Sequence, residues 1–152
     1  MLFFLCKRMV SVCVAVASFF LAVLLCVFLK DDFSLSSARA EEVTSSYYLY
    51  SASSTAKAQQ SISVLDLPFI EGKSVCLTFE TEGAAREYVA ALIKKTGAYL
   101  QKSEFVGEVE SHYFFSRKLG KTVAVSGLPV NLHIALSGKR VSVGSPLVFG
   151  GY

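Results

Sequence analysis

Cysteine is scarce where it would count. Of the four cysteines, Cys6, Cys13 and Cys26 lie in or beside an apolar run near the N-terminus, leaving Cys76 alone in the rest of the chain. One thiol cannot close an internal disulfide, so that part must hold together by burial alone. Histidine is scarcer still, with only His112 and His133. There is no C-x-x-C, no H-E-x-x-H and no close acidic cluster. A zinc site would need carboxylates or Cys76 from elsewhere, and neither a metal nor a cofactor is expected. A phosphate loop is missing too, because no helix follows Gly144, Gly150 and Gly151 to supply its N-terminus. Charge of one sign is also lacking. Residues 41–152 carry eleven Lys or Arg against ten Asp or Glu, a net of +1, which excludes the electrostatic footprint of a nucleic-acid binder. Internal repeats and low-complexity tracts are absent.

What the chain has first is an apolar run. Met9 to Leu29 is broken only by Ser11 and Ser18, and it is long enough to cross a bilayer core as a helix. Lys7 and Arg8 precede it, and the positive-inside bias sends the remainder out of the cytoplasm. Ala38-Arg39-Ala40 has the small-x-small form of a signal-peptidase site, with Glu41 first in the mature chain. The length of the run, and Lys30, Asp31 and Asp32 after it, argue instead for an uncleaved anchor. Residues 1–40 are therefore expected to be a signal peptide or signal anchor with its tether, and 41–152 a single exported domain. That domain is expected outside the cytoplasmic membrane, anchored through residues 9–29 or secreted after cleavage at Ala40. Asp31 to Ser46, polar and serine-rich, reads as tether or cleavage region.

The exported part is organised around Ser74 to Thr96. Val75, Leu77 and Phe79 alternate with polar neighbours, the period of a half-buried strand. Thr81 is a helix cap, and Glu82 suits the positive helix start. Ala85, Tyr88, Val89, Leu92 and Ile93 then share one helical face, and Gly97 is placed for a left-handed stop. Tyr47 to Tyr50 suits a strand, whereas Ala56 to Leu67 is ambiguous. After the helix, Ala98 to Val106 alternates poorly and suggests an edge or a bulge. Gly107-Glu108 makes a turn into Val109 to Phe115. Thr122 to Ser126 is a short β-branched run, closed by Gly127-Leu128-Pro129. Val130 to Ser137 and Arg140 to Val143 form a hairpin across Gly138-Lys139, a type II′ signature. The expected class is α+β, with one main helix on a mostly antiparallel sheet in the order β-α-β-β-β-β.

Three short stretches carry a resemblance. Tyr113-Phe114-Phe115-Ser116-Arg117-Lys118-Leu119, Val130-Asn131-Leu132-His133-Ile134-Ala135-Leu136 and Val143-Gly144-Ser145-Pro146-Leu147-Val148 resemble the YwmB family of exported Firmicute proteins. The resemblance covers about a third of the chain and implies a fold similar to the TATA-box-binding protein, a helix gripped by a curved antiparallel sheet. It lends no catalytic residue and no ligand, and the fold analogy does not imply DNA binding.

Both histidines fall opposite the apolar residues of their own strands, where an imidazole is expected to face solvent. Cys76 lies mid-strand, where a small sheet residue is the plain reading and a thiol–imidazole pair with either histidine the sharper one. The scattered carboxylates read as solvated surface. Tyr47, Tyr48, Tyr50, Tyr113, Phe114 and Phe115 fit either a sheet covered on both sides or an exposed patch for a partner. A sheet with a helix on one face leaves its other face free, and Thr78, Asn131, His133 and Ser142 are expected there. Asn131 has two readings, a hydrogen bond to a partner or to a neighbouring turn. The expected function is that of a non-enzymatic envelope domain that binds a protein, peptide or glycan through Tyr48, Tyr50, Asn131 and His133, with a link to sporulation or wall processes. The alternative is a small envelope hydrolase using Cys76 and His112 or surface carboxylates.

Overall fold

The computed structural model describes residues 12–23, 40–49, 57–59, 63 and 69–148. The chain divides into two units, Met1–Asp32 and Phe33–Tyr152. In the first, residues 12–23 are helical (α1) and exposed. Among the described residues no helix is long and apolar enough to cross a membrane. The rest of the apolar run, residues 9–11 and 24–29, lies outside them.

The second unit is α+β. Its strands are β1 (Ala40–Leu49), β2 (Lys57–Gln59), β3 (Ile70–Phe79), β4 (Tyr99–Val106), β5 (Val109–Phe115), β6 (Val123–Val125), β7 (Leu128–Val130), β8 (Leu132–Ser137) and β9 (Arg140–Ser145), with α2 (Glu82–Thr96) after β3. Seven strands form one sheet in the order β2-β1-β3-β9-β8-β5-β4, and β6 and β7 form a separate ribbon. Every described pair is antiparallel. From β3 onward the main sheet follows the expected β-α-β-β-β-β order, with the ribbon inserted between its third and fourth strands.

The helix forms where its chemistry places it. Thr81 is extended, and its hydroxyl accepts from Ala84 N at 3.1 Å, which satisfies one orphan donor of the first turn. Gly97 has φ 61°, and its N–H is the stop that returns to the end of the helix. That left-handed conformation suits a residue without Cβ. Ala85, Tyr88, Val89 and Leu92 enter the core with Val75, Leu77 and Phe79 of β3, Val141 and Val143 of β9, and Leu132, Ile134 and Leu136 of β8. Phe79 and Tyr88 rings meet at 5.3 Å. The carbonyl end of α2 is held from just beyond β5: Ser116 Oγ donates to Thr96 O at 2.6 Å, and Lys118 Nζ donates to Lys95 O at 3.0 Å. A cation there also complements the negative helix end.

Three expectations change. Ala40 to Ser46 is not tether but the first part of β1, paired with β3 from Ala40↔Phe79 to Leu49↔Ile70. A backbone ladder needs no apolar side chains, so a Ser- and Glu-rich strand can be added to an existing one. The run from Val130 to Ser137 is two strands, because the chain bends at Asn131 between β7 and β8. Gly127-Leu128-Pro129 does not close the run: Ser126 (φ 53°) and Gly127 (φ 80°) turn β6 into β7, which begins at Leu128. Two consecutive positive φ values are the geometry of a type I′ hairpin. Strand β4 is a sheet edge with an irregularity between Leu100 and Lys102, as its poor alternation suggests.

The helix-free face is covered in part, around Gly144 and His133. After β9 the chain turns back over Gly144, close enough that a Cβ there would overlap the backbone of Leu147 and Val148. Only hydrogen at that position admits the return. Gly144→Ala should therefore lower unfolding free energy by about 3 kcal/mol or more, whereas Gly120→Ala, with open space around it, should change it by under about 1 kcal/mol. Urea titrations of both variants check this, and equal stabilities would put the returning segment elsewhere.

Candidate functional site

The helix spans the middle of the sheet and leaves β4 and β5 partly uncovered on its own side. Cross-strand register sets what faces the gap. Val106 lies opposite Val109 across Gly107-Glu108, so Ser103 lies opposite His112, and the irregularity between Leu100 and Lys102 sets Leu100 opposite Phe114. His112 in turn lies opposite Ile134, a core residue under the helix. The result is a cavity of ≈ 280 Å³ between α2 and these strands. Val89, Ala90, Ile93, Leu100, Phe114 and Leu136 give it an apolar lining, and Arg86 and His112 supply the polar end. This volume is at the small end for a ligand site and suits one or two apolar side chains or a short acyl chain.

The polar end is a relay of short contacts. Ser103 Oγ is 2.7 Å from His112 Nδ1, and His112 Nε2 is 2.9 Å from Glu110 Oε1. The other oxygen of Glu110 is 3.5 Å from Arg86, which also donates to Glu82 Oε1 at 3.1 Å. Serine, imidazole and carboxylate thus stand in the contact order of a nucleophile, its base and the base's anchor. Ser103 is exposed on an edge strand, a setting in which the same contacts arise from cross-strand pairing alone.

A second cluster occupies the opposite face. The rings of Tyr113 and His133 stack at 4.3 Å and 15°. Tyr113 Oη donates to Glu104 Oε1 at 2.7 Å, and Lys102 Nζ is 2.6 Å from Glu104 Oε2. The hydrogen bonds from Lys102 and then Tyr113 hold the Glu104 carboxyl below its ordinary range. Val148 N donates to His133 Nδ1 at 3.2 Å, which pins the returning segment to β8. Burial pushes the His133 pKa down to about 4, against the opposing pull of Glu104 and with a further small push from His112.

The expected partner-binding residues do not converge. Tyr48 is buried opposite Gly72 in the β1–β3 ladder, and Tyr50 lies outside the described residues. Asn131 and His133 are 1% and 2% exposed, so the open polar face expected around them is covered. The Asn131 carboxamide accepts from Ser116 N at 2.7 Å and donates to Ser116 O at 2.7 Å and Leu119 O at 3.2 Å. Of its two readings, the neighbouring turn is the one realised. His112 does not face open solvent either. It is half-buried on the helix side, whereas Cys76 pairs with Ser142 on the other face. A Cys76–His112 pair is therefore ruled out by sheet geometry. Residue patterns alone do not single out Arg86, Ser103 and Glu110, although the two-residue turn at Gly107-Glu108 already implies the Ser103–His112 register. Among the described residues, no group of three or more His, Cys, Asp or Glu is placed to hold a metal ion.

The His133 environment has a pH consequence. With its ordinary value of 6.5 lowered to about 4, the unfolded chain binds the proton more readily than the folded one. Its contribution is complete above about pH 6.5 and is lost as pH falls to about 4, amounting to at most about 3 kcal/mol. Urea titrations at pH 7 and 4.5 should show this loss, and His133→Gln should shrink it relative to the parent. An equal pH dependence in both would assign it to other groups. Neither a family model, nor a curated protein, nor a solved structure matches this chain.

Proposed function

We propose that the chain is a non-enzymatic, exported or membrane-anchored domain of the bacterial cell envelope that binds a protein or peptide partner through the groove beside α2. The observation that carries this reading is the apolar lining of that groove, continuous with exposed Leu100 on β4. The envelope setting is supported by the apolar run of residues 9–29 behind Lys7 and Arg8 and by the YwmB-like stretches, which also motivate a link to sporulation or wall processes. A glycan partner has less support, because Asn131, His133 and Ser142 are buried and sugars are met by accessible polar groups. A leucine or phenylalanine side chain fits the groove in size and polarity.

Ala90 lines the groove but is exposed on the helix, so Ala90→Arg should fill it without disturbing the core. Binding of fluorescent Leu- and Phe-containing peptides to the full chain in detergent should weaken about tenfold, or about 1.4 kcal/mol, with thermal melting unchanged. Peptides that bind as well with Ser in place of Leu or Phe would sink the groove reading.

A second reading rests on the contact order at the groove's end. Ser103 Oγ would attack an ester carbonyl while passing its proton to His112 Nδ1, with Glu110 holding Nε2. The alcohol would leave with that proton, and water would release the acyl group. Hydrolysis of p-nitrophenyl butyrate that falls at least about a hundredfold in Ser103→Ala would favour this hydrolase. Turnover equal to that variant's would dismiss it.

A further inference from the structure

Strand β4 is an open sheet edge among the described residues. Edges of this kind are ordinarily kept from pairing by charges, proline or short length. This one runs eight residues and exposes Tyr99 (52%), Leu100 (53%), Phe105 (74%) and Val106 (55%). Its only charges are Lys102 and Glu104. The two-residue turn makes Val106–Val109 a hydrogen-bonded pair, so the N–H and C=O of Val106 and Glu104 point to β5. Those of Phe105 and Ser103 consequently point outward, away from the sheet.

The charges are symmetric about Ser103. Lys102 precedes it and Glu104 follows it, and both side chains lie on the helix-free face, where they form the 2.6 Å contact. We propose that β4 pairs antiparallel with β4 of a second copy of this chain, about a two-fold axis at Ser103. In that register Ser103 faces Ser103 of the second copy as a hydrogen-bonded pair. Each Lys102 then stands opposite Glu104 of the second copy, and Phe105 comes beside the second copy's Leu100, which the irregularity between Leu100 and Lys102 turns to the helix side. Opposite charges directly across a ladder favour pairing, whereas like charges oppose it. An unrelated strand would need the same Lys–x–Glu spacing in reverse to match, but a second copy supplies it automatically, which is the self-complementarity of an isologous interface. Both copies of α2 fall on one side of the joined sheet, and the two grooves flank the axis. The inference does not depend on what the grooves bind.

The test is disulfide trapping of the full chain in membranes. Ser103→Cys places two thiols across the axis at a Cα separation of about 5.5 Å, within disulfide range. Copper-catalysed oxidation should trap a reducible dimer at least about tenfold faster than with Thr122→Cys, an exposed position on another loop. Mass spectrometry should find residue 103 linked to itself. Charge pairing is read separately. Lys102→Glu and Glu104→Lys should each dimerise poorly alone but pair with each other when mixed, although neither regains its internal ion pair. Ser103→Pro should dimerise poorly yet melt like the parent, because the lost N–H points outward. Trapping no faster than at residue 122, or through another cysteine, overturns the proposal. So does a mixture of the two charge variants that stays monomeric. A monomer whose β4 amides are protected from exchange would place a different occupant on the edge, which also overturns it. The peptide assay with Ala90→Arg is unaffected by any of these results.

Discussion

The contact between one stripe of α2 and the inner face of β3 supports everything else in the second unit. Leu92, Tyr88 and Ala85 bury against Leu77 and Phe79, and the remaining strands join β3 on either side. Burial of these side chains is worth about 1.5–3 kcal/mol for each of the larger ones. No disulfide adds to it, since Cys76 is the lone cysteine among residues 41–152. Because the helix covers the centre of the sheet and not its β4 edge, it also creates the groove. Core and candidate site are consequences of a single placement.

The second constraint is polar. The carbonyl end of α2, the end of β5 and the bend before β8 meet at Ser116 and Asn131, through hydrogen bonds of 2.6 to 3.2 Å. Buried carboxamides and hydroxyls are costly unless paired, so this hub specifies one arrangement of three separate segments. It also takes Asn131 out of consideration as a ligand-binding group. The returning segment after β9 does the same for His133, by covering the face that a helix on only one side would have left open.

The site that remains combines an apolar trough with a hydrogen-bonded end. Arg86 is balanced by Glu82 and Glu110, so the groove carries no unopposed cation to attract an anionic head group. Selection there falls to shape and apolar contact. The adjoining edge of β4 adds backbone groups and apolar side chains, and its charges are arranged in a self-matching order.

Much of this was legible in the residues. The alternation of Val75, Leu77 and Phe79, the cap at Thr81, the spacing from Ala85 to Leu92 and the stop at Gly97 are local patterns, and each determines a local element irrespective of its surroundings. The succession along the chain was legible too, but not the order across the sheet, since β3 pairs with β9 and β5 with β8 although neither pair is joined by a short turn. What the sequence could not determine was what would cover His133 on β8 and Asn131 at the bend before it. His133 and Asn131 alternate correctly for exposure, but a segment from after β9 and a turn after β5 close over them. That closure depends on contacts between residues well separated in the chain, such as Val148 with His133 and Asn131 with Ser116. The first part of β1, Ala40 to Ser46, was hidden for a related reason, since its pairing draws on backbone groups that every residue carries alike. Only the tertiary structure decided these points, because burial is a property of what arrives from elsewhere and periodicity reports only the chain's own side.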